Sequence, residues 1–166
     1  MGFDDYRGSR KFELDAVASL VYGIQASGVT YAQLSASSPS GTQSIDSTYE
    51  AITQWDDTLS AGAATATIDT SGYITVTETD HYLLMARLVF GGDNDSIYSA
   101  SVFKDEQQSV DIALLVKKDA GENVHVCGMT VLSISQGEVI DLRIKADAAA
   151  RFDLITGELI ILKISG

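Results

Sequence analysis

The stretch AATATIDTSGYITV, residues 63–76, contains the pattern that recurs through most of the chain. Threonine alternates with apolar residues from Ala63 to Ile68, residues 69–72 have the composition of a turn, and a new alternating segment begins at Tyr73. Alternation with a period of two predicts a strand with one buried face, and clustered Asp, Ser and Gly predict a turn. Residues 63–76 therefore predict two short strands joined by a turn.

Segments of the same kind follow one another from about Thr30 to the C-terminus. They make short strands at intervals of about 8–12 residues, a spacing typical of an all-β sandwich or barrel. Besides the two strands above, the predicted strands are Tyr31–Ala36, Tyr49–Trp55, His81–Phe90, Ser99–Phe103, Val110–Val116, Val124–Ile134 (one strand or a pair), Val139–Ile144, Phe152–Ile155 and Leu159–Ile164. We expect an all-β fold with its strands in residues 30–166.

The first 29 residues have a different pattern. Leu14, Val17, Val21 and Ile24 recur at the spacing of one helix face, which predicts an amphipathic helix of about three turns that ends near Gly28. Two interpretations stay open. The helix could pack on its own barrel, or residues 1–29 could be an arm that docks on a partner. The arm is favoured by residues 1–11, which are polar and have no core pattern.

Composition excludes several classes of protein. The chain has 166 residues with 11 basic and 23 acidic side chains, a net charge of −12, so the basic face needed to bind nucleic acid or an anionic membrane surface is missing. We expect neither nucleic-acid binding nor membrane insertion. Cys127 is the only cysteine, so an intrachain disulfide and a cysteine-based zinc site are excluded. Glu13 and Asp15 lie where the apolar region of a signal peptide should begin, which argues against a cleaved signal peptide.

The order of five segments resembles the complement/tumour-necrosis-factor-like jelly-roll family, especially the copies in structural proteins of tailed phages. These segments are Ala66–Val76, Asp80–Ala86, Ser99–Asp105, Val131–Leu142 and the last apolar strand at Gly157–Ile164. The resemblance covers about residues 30–166.

Two family motifs occur here in altered form. The family's Leu-x-x-Gly-Asp-x-Val turn before the penultimate strand lies at Leu132–Val139, with Glu138 in place of the aspartate. Its Pro-Gly-x-Tyr is Thr79-Asp80-His81-Tyr82, without the proline and the glycine. The resemblance implies a two-sheet jelly roll of ten strands that assembles as a tight homotrimer and works by binding.

Sites for other chemistry are weakly indicated. His125 and Cys127 lie two apart on a predicted strand and hence on one face, but no third ligand accompanies them. Asp93 and Asp95 lie two apart in a glycine-rich loop, as in calcium loops, but the rest of that pattern is missing. No nucleophile elbow, paired catalytic carboxylates or phosphate loop stands out. We expect no enzyme activity, no metal and no cofactor.

The function indicated by the resemblance is that of a virion accessory protein, made in the host cytoplasm. We expect a trimeric capsid decoration or head-fibre protein attached by its arm to the major capsid protein or another virion protein. The alternatives are the receptor-binding tip of a tail fibre, which could bind a host-surface glycan, and a secreted lectin-like module. Residues 1–11 carry three basic and two acidic side chains, whereas the other 155 residues carry eight basic and 21 acidic. The predicted partner-binding residues of the arm are Phe3, Tyr6, Arg7, Arg10, Lys11 and Phe12.

Overall fold

The computed structural model describes residues 31–37, 39–61, 66–68 and 71–164, and every regular element in them is a strand. The described part of the chain contains no helix of the length and apolarity that crossing a bilayer requires. The helix predicted between residues 12 and 28 lies outside the described residues. The strands are β1 (Tyr31–Ala36), β2 (Gln43–Ile45), β3 (Glu50–Ala51), β4 (Asp57–Ala61), β5 (Ala66–Ile68), β6 (Ile74–Val76), β7 (Asp80–Gly92), β8 (Ile97–Lys104), β9 (Gln107–Lys117), β10 (Val124–Ile134), β11 (Val139–Ala146) and β12 (Ala150–Lys163).

The strands form two antiparallel sheets of six strands each. The front sheet has the order β10-β7-β12-β1-β4, with β2 also paired to β12. The back sheet has the order β5-β6-β11-β8-β9, with β3 also paired to β11. Consecutive strands repeatedly change sheet, since β7 leads to β8, β9 to β10 and β11 to β12. The predicted all-β fold with two sheets is confirmed.

The core lies between the two sheets and is built by alternate residues of each strand. Leu34, Leu88 and Phe152 of the front sheet and Ile74 and Ile140 of the back sheet are fully buried in one cluster. Burying one such side chain contributes about 1.5–3 kcal/mol, so this cluster supplies the main driving force for folding. Because strand side chains alternate, placing these residues inward turns the residues between them outward.

The C-terminal strand differs from its prediction. The sequence predicts separate strands at 152–155 and 159–164. In the structure β12 is continuous from Ala150 to Lys163, and its pairing with β7 shifts register between Leu154 and Thr156. A β-bulge here accommodates the extra residue, so the chain bends without leaving the sheet.

The strand predicted at Tyr49–Trp55 is mostly wrong. Only Glu50 and Ala51 pair, with β11. After them the Ile52 backbone N–H still donates to Leu142 O of β11 at 3.0 Å, and the Gln54 side chain then accepts a hydrogen bond from the Leu154 backbone N–H at 2.9 Å. Trp55 is half-buried and packs against the core.

The described chain begins and ends at the same end of the sandwich. Tyr31 is paired with Leu162, next to the end of β12 at Lys163. We call this the termini end. The opposite end, the loop end, carries the connections at 37–42, 46–49, 93–96, 118–123 and 147–149.

Candidate interaction surface

The outward face of the front sheet carries apolar side chains where a solvated sheet would carry polar ones. In one row across the sheet, Met129 of β10 lies opposite Met85 of β7, which lies opposite Ile160 of β12. The next row runs from β10 to β1 and consists of Val131, Leu83, Leu162 and Tyr31. We call the two rows the apolar band, which consists of Tyr31, Leu83, Met85, Met129, Val131, Ile160 and Leu162.

Exposure differs strongly across the band. On β10, Met129 is 75% exposed and Val131 is 52% exposed. On the other side Tyr31, Ile160 and Leu162 are only 4%, 6% and 8% exposed, although they lie outside the core cluster between the sheets. The β10 side of the band is therefore an apolar surface open to a partner.

Polar residues border the band along the strands. On one side Arg87 of β7 lies between Cys127 of β10 and Glu158 of β12. On the other side His81 lies opposite Ser133. An apolar centre with a polar rim is the usual composition of a protein–protein interface.

The sequence does not single out these band residues. Val124–Ile134 contains apolar residues at both odd and even positions, so its pattern alone does not show which set faces the core. In the structure Val124, Val126 and Ile134 face inward, and Met129 and Val131 face out. The sequence did contain one signal for the band. A strand with one buried face needs apolar residues at alternate positions only, and Val124–Ile134 has more apolar residues than that.

The back sheet has an outward face of different character. Arg143 pairs with the buried Asp141 at 2.6 Å and with the exposed Glu106 at 2.8 Å, and its guanidinium lies 4.4 Å from the centre of the Phe103 ring. The residues around this group line a shallow cleft of about 420 Å³: Tyr73, Thr75, Asp105, Glu106, Val139, Asp141 and Arg143.

Burial dominates the electrostatics of Asp141. Desolvation raises the pKa of its carboxyl above the ordinary value of 3.8, and the hydrogen bond and charge of Arg143 reduce that rise. This ion pair is the charged centre of the back face. The apolar band of the front face consists of uncharged residues. The two faces therefore suit different partners.

The candidate metal ligands have other surroundings. His125 and Cys127 share the outward face of β10, as predicted, and both are exposed. In the loop after β7, the Lys118 ammonium donates to Asn94 Oδ1 at 2.9 Å, and Asp93 accepts a hydrogen bond from the Arg151 backbone N–H. No three His, Cys, Asp or Glu side chains of the described residues are grouped to hold a metal ion.

The six partner-binding residues predicted in the arm, Phe3 to Phe12, all lie outside the described residues. The boundary predicted at residue 29 falls just before the first described strand, which begins at Tyr31.

Solved structures of similar architecture cover most of the chain. Murine APRIL at pH 8.0 aligns with a TM-score of 0.58 and 19% identity, over 82% of this chain and 99% of that one. The fold is that of the tumour-necrosis-factor-like jelly rolls. Eiger TNF from S. frugiperda aligns with this jelly roll at a TM-score of 0.56 and 13% identity, over 83% and 94% of the two chains. The globular domain of the zebrafish complement 1qA protein gives 0.57 and 14%, over 82% and 98%.

Sequence comparison alone does not find these similarities. No protein-family model matches the chain, and no curated protein matches it. The jelly roll is therefore shared at the level of the fold, with the TNF-like and C1q-like proteins as structural neighbours.

Proposed function

We propose that this jelly roll is a non-enzymatic virion accessory protein, a homotrimer that decorates the capsid or forms a head fibre of a tailed phage. Its N-terminal arm, residues 1–29, attaches it to the major capsid protein or another virion protein. It is made in the host cytoplasm and works on the virion without a cofactor. The phage context rests on the sequence resemblance, and the observation that carries the binding role is the open side of the apolar band.

The band supports self-association. Met129 and Val131 lie on the outward face of an edge strand. Because exposing their apolar side chains to water is unfavourable, this side of the band favours the binding of a partner. A second copy can cover this side, and copies related by a closed rotation bury one such surface at every interface. The family resemblance adds that the rotation is threefold.

The positions of the chain ends support attachment through the arm. Because Tyr31 lies at the termini end, the arm leaves the barrel there and the loop end points away from the attachment point. Phe3, Tyr6 and Phe12 supply apolar anchors, while Arg7, Arg10 and Lys11 let the arm approach an acidic partner that repels the body. Three arms acting together give firm attachment from weak contacts.

The cleft on the back sheet favours a second candidate, the receptor-binding tip of a tail fibre or a lectin-like module. Tyr73 offers an aromatic ring beside the charged planar groups of Arg143 and Asp141, a combination that suits a sugar ring. Binding of a host-surface glycan at this cleft, together with a position on the tail, would replace the capsid role.

The trimer is tested by measuring the native mass with size-exclusion chromatography and light scattering. We expect about three times the chain mass of 17.7 kDa. A variant with Met129→Asp and Val131→Asp should be a folded monomer by circular dichroism. A matched variant with Gln136→Asp and Ala148→Asp, two exposed positions outside the band, should stay trimeric. A monomeric wild type, or a trimeric band variant, would overturn the proposal.

Attachment is tested on purified virions. Immunoelectron microscopy with an antibody to the barrel should label the head, and quantitative mass spectrometry should find the protein in many copies. Deleting residues 1–11 should leave a folded trimer that no longer joins the virion. Label on the tail would support the second candidate, and absence from the virion would rule out both phage roles.

A further inference from the structure

We propose that the cleft on the back sheet binds an acidic sugar, one that carries a carboxylate such as a uronic acid. In the unliganded protein Glu106 occupies the place of this carboxylate on Arg143. The inference rests on the glycan-binding alternative of the proposed function and names the class of sugar that the cleft takes. It does not depend on the trimer or on a position on the virion.

The guanidinium of Arg143 is held in one orientation. Its Nε donates to Asp141 Oδ2 at 2.6 Å, and its Nη2 lies 3.4 Å from Asp141 Oδ1. The Phe103 ring supports it from the side, with its centre 4.4 Å from the guanidinium carbon. The Asp141 side chain is 2% exposed, so this anchor is closed to solvent. A planar guanidinium fixed in this way is prepared to bind a second carboxylate.

Glu106 is the second carboxylate in the unliganded protein, but it is held far more loosely than Asp141. Its Oε2 accepts from Arg143 Nη2 at 2.8 Å, while the Glu106 side chain is 77% exposed. Exposed ion pairs of this kind contribute little, because water competes for both charges. Glu106 also has a φ of +66° in a hairpin turn that normally prefers glycine or asparagine. A ligand carboxylate can therefore take its place.

The remainder of the cleft suits a sugar. Its volume of about 420 Å³ lies within the range of about 300–1,000 Å³ of small-molecule sites. Tyr73 and Thr75 line it together with Arg143 and Glu106. The Tyr73 ring offers a flat apolar surface for the C–H face of a sugar, and the Thr75 hydroxyl can accept or donate a hydrogen bond. Once released from Arg143, the Glu106 carboxylate can accept hydrogen bonds from the sugar hydroxyls.

The charges around the cleft narrow the class of ligand. Asp105, Glu106 and Asp141 are the carboxylates among the described residues that line it, and they outnumber the single guanidinium. An anion added to this group would be repelled, whereas a carboxylate that replaces Glu106 leaves the charge beside Arg143 unchanged. An acidic sugar brings one carboxylate for Arg143 and several hydroxyls for the carboxylates nearby. An acidic peptide brings further negative charge and few hydroxyls.

A first experiment compares an acidic sugar with its neutral counterpart. The full chain, labelled with ¹⁵N, is titrated with glucuronic acid and with glucose, and the NMR signals of the cleft residues are followed. Glucuronic acid should bind at least about tenfold more tightly, because only its carboxylate can make charge-assisted hydrogen bonds to Arg143. Equal affinities would overturn this inference and leave glycan binding standing. Binding of neither sugar would overturn both, and neither result bears on the trimer.

A second experiment tests the role of Glu106. Glu106→Gln should bind glucuronic acid about two- to fivefold more tightly than wild type, because a neutral amide competes less well for Arg143. The control Asp105→Asn removes the same charge one residue away and keeps the Glu106–Arg143 pair, so its affinity should change by less than about 1.5-fold. Weaker binding by Glu106→Gln, or equal tightening by both variants, would overturn the proposal.

A third variant tests the guanidinium itself. Arg143→Lys keeps a positive charge beside the buried Asp141 but loses the planar fork, and it should bind glucuronic acid at least about tenfold more weakly. Glucose should bind this variant and the wild type alike, because it has no carboxylate. If Arg143→Lys binds glucuronic acid as well as the wild type does, Arg143 is not the carboxylate site and the proposal is wrong.

Discussion

Trp55 shows how closely single residues fit in this fold. A Cβ atom on Gly157 would lie 3.2 Å from Trp55 Cζ3, and one on Gly72 would lie 2.6 Å from Trp55 Cδ1. Gly72 also has a φ of +92°, which side chains other than glycine rarely adopt. The indole therefore leaves no room for a Cβ at Gly72 and only a tight fit at Gly157, and the backbone of Gly72 favours glycine as well.

These two requirements can be separated by mutation. Gly72→Ala should lose about 3 kcal/mol of unfolding free energy, the sum of overpacking against Trp55 and backbone strain. Gly41→Ala should lose only about 1 kcal/mol, because Gly41 has a φ of +96° but no atom within 4 Å of its added Cβ. Chemical denaturation of both variants measures the difference. Equal losses would mean that Trp55 moves aside freely.

Two carboxyl groups should titrate in opposite directions from the ordinary pKa of 3.8. Burial raises the pKa of Asp141, whereas hydrogen bonds from Thr42 and Arg151 lower the pKa of Asp153. Asp141 thus contributes stability below pH 3.8 that is lost as the pH rises through its raised pKa. Asp153 contributes stability above pH 3.8 that is lost as the pH falls through its lowered pKa. Carboxyl carbon NMR titration measures both; Asp141 titrating below Asp153 would contradict the assignment.

Among the elements, the β8–β9 hairpin has an unusual turn. Its two loop residues, Asp105 and Glu106, have φ angles of 46° and 66°, as in a turn that normally prefers glycine or asparagine. The turn is held by Asp105, which accepts a hydrogen bond from the Val139 backbone N–H at 2.8 Å, and by the Glu106–Arg143 ion pair. Contacts to β11 thus hold a backbone that the turn sequence disfavours.

Relieving this strain should stabilise the protein. Glu106→Gly removes a strain of about 1 kcal/mol and an exposed ion pair that contributes about 0–1 kcal/mol, so a net gain of about 0.5 kcal/mol is expected. Glu122→Gly, at an exposed residue whose φ is not positive, should be neutral or destabilising. Urea denaturation compares the two variants. A larger loss for Glu106→Gly would show that the ion pair outweighs the strain.

The long strands could be predicted from the sequence, and so could the short β5 and β6, which flank a clear turn, but β2 and β3 could not. The apolar runs that became β7, β9 and β11 are long enough for alternation and turn residues to define them. β2 has three residues and β3 only two, and their positions depend on pairing with β12 and β11. Such pairing is a tertiary interaction, which a local pattern does not contain.

The candidate surface was less predictable than the fold. Alternation assigns one set of residues on each strand to a core, but Met129 and Val131 form a surface only when β10 lies beside β7. The strand order that creates the band is set by long-range pairing. The predicted arm residues are a separate proposal, argued from charge and aromatic content alone.

At the scale of the whole molecule, net charge should oppose assembly. Each chain carries −12, so the subunits of a trimer repel one another, and salt screens that repulsion. Sedimentation equilibrium should therefore show a tighter trimer in 300 mM sodium chloride than in 10 mM. Weakening by salt would indicate an interface held by ion pairs, contrary to the apolar band.

Because Tyr31 and Leu162 are adjacent, the two ends of the described chain can be joined and new ends opened elsewhere without changing the fold of the barrel. A circular permutant of residues 31–164, with a short linker from Ile164 to Tyr31 and new ends opened after the exposed Gly121, keeps every described strand pairing. Its ends would emerge at the loop end, so a fused peptide would point in the opposite direction from the natural arm. The same barrel would then present a fused peptide at the termini end in the natural chain order and at the loop end in the permutant.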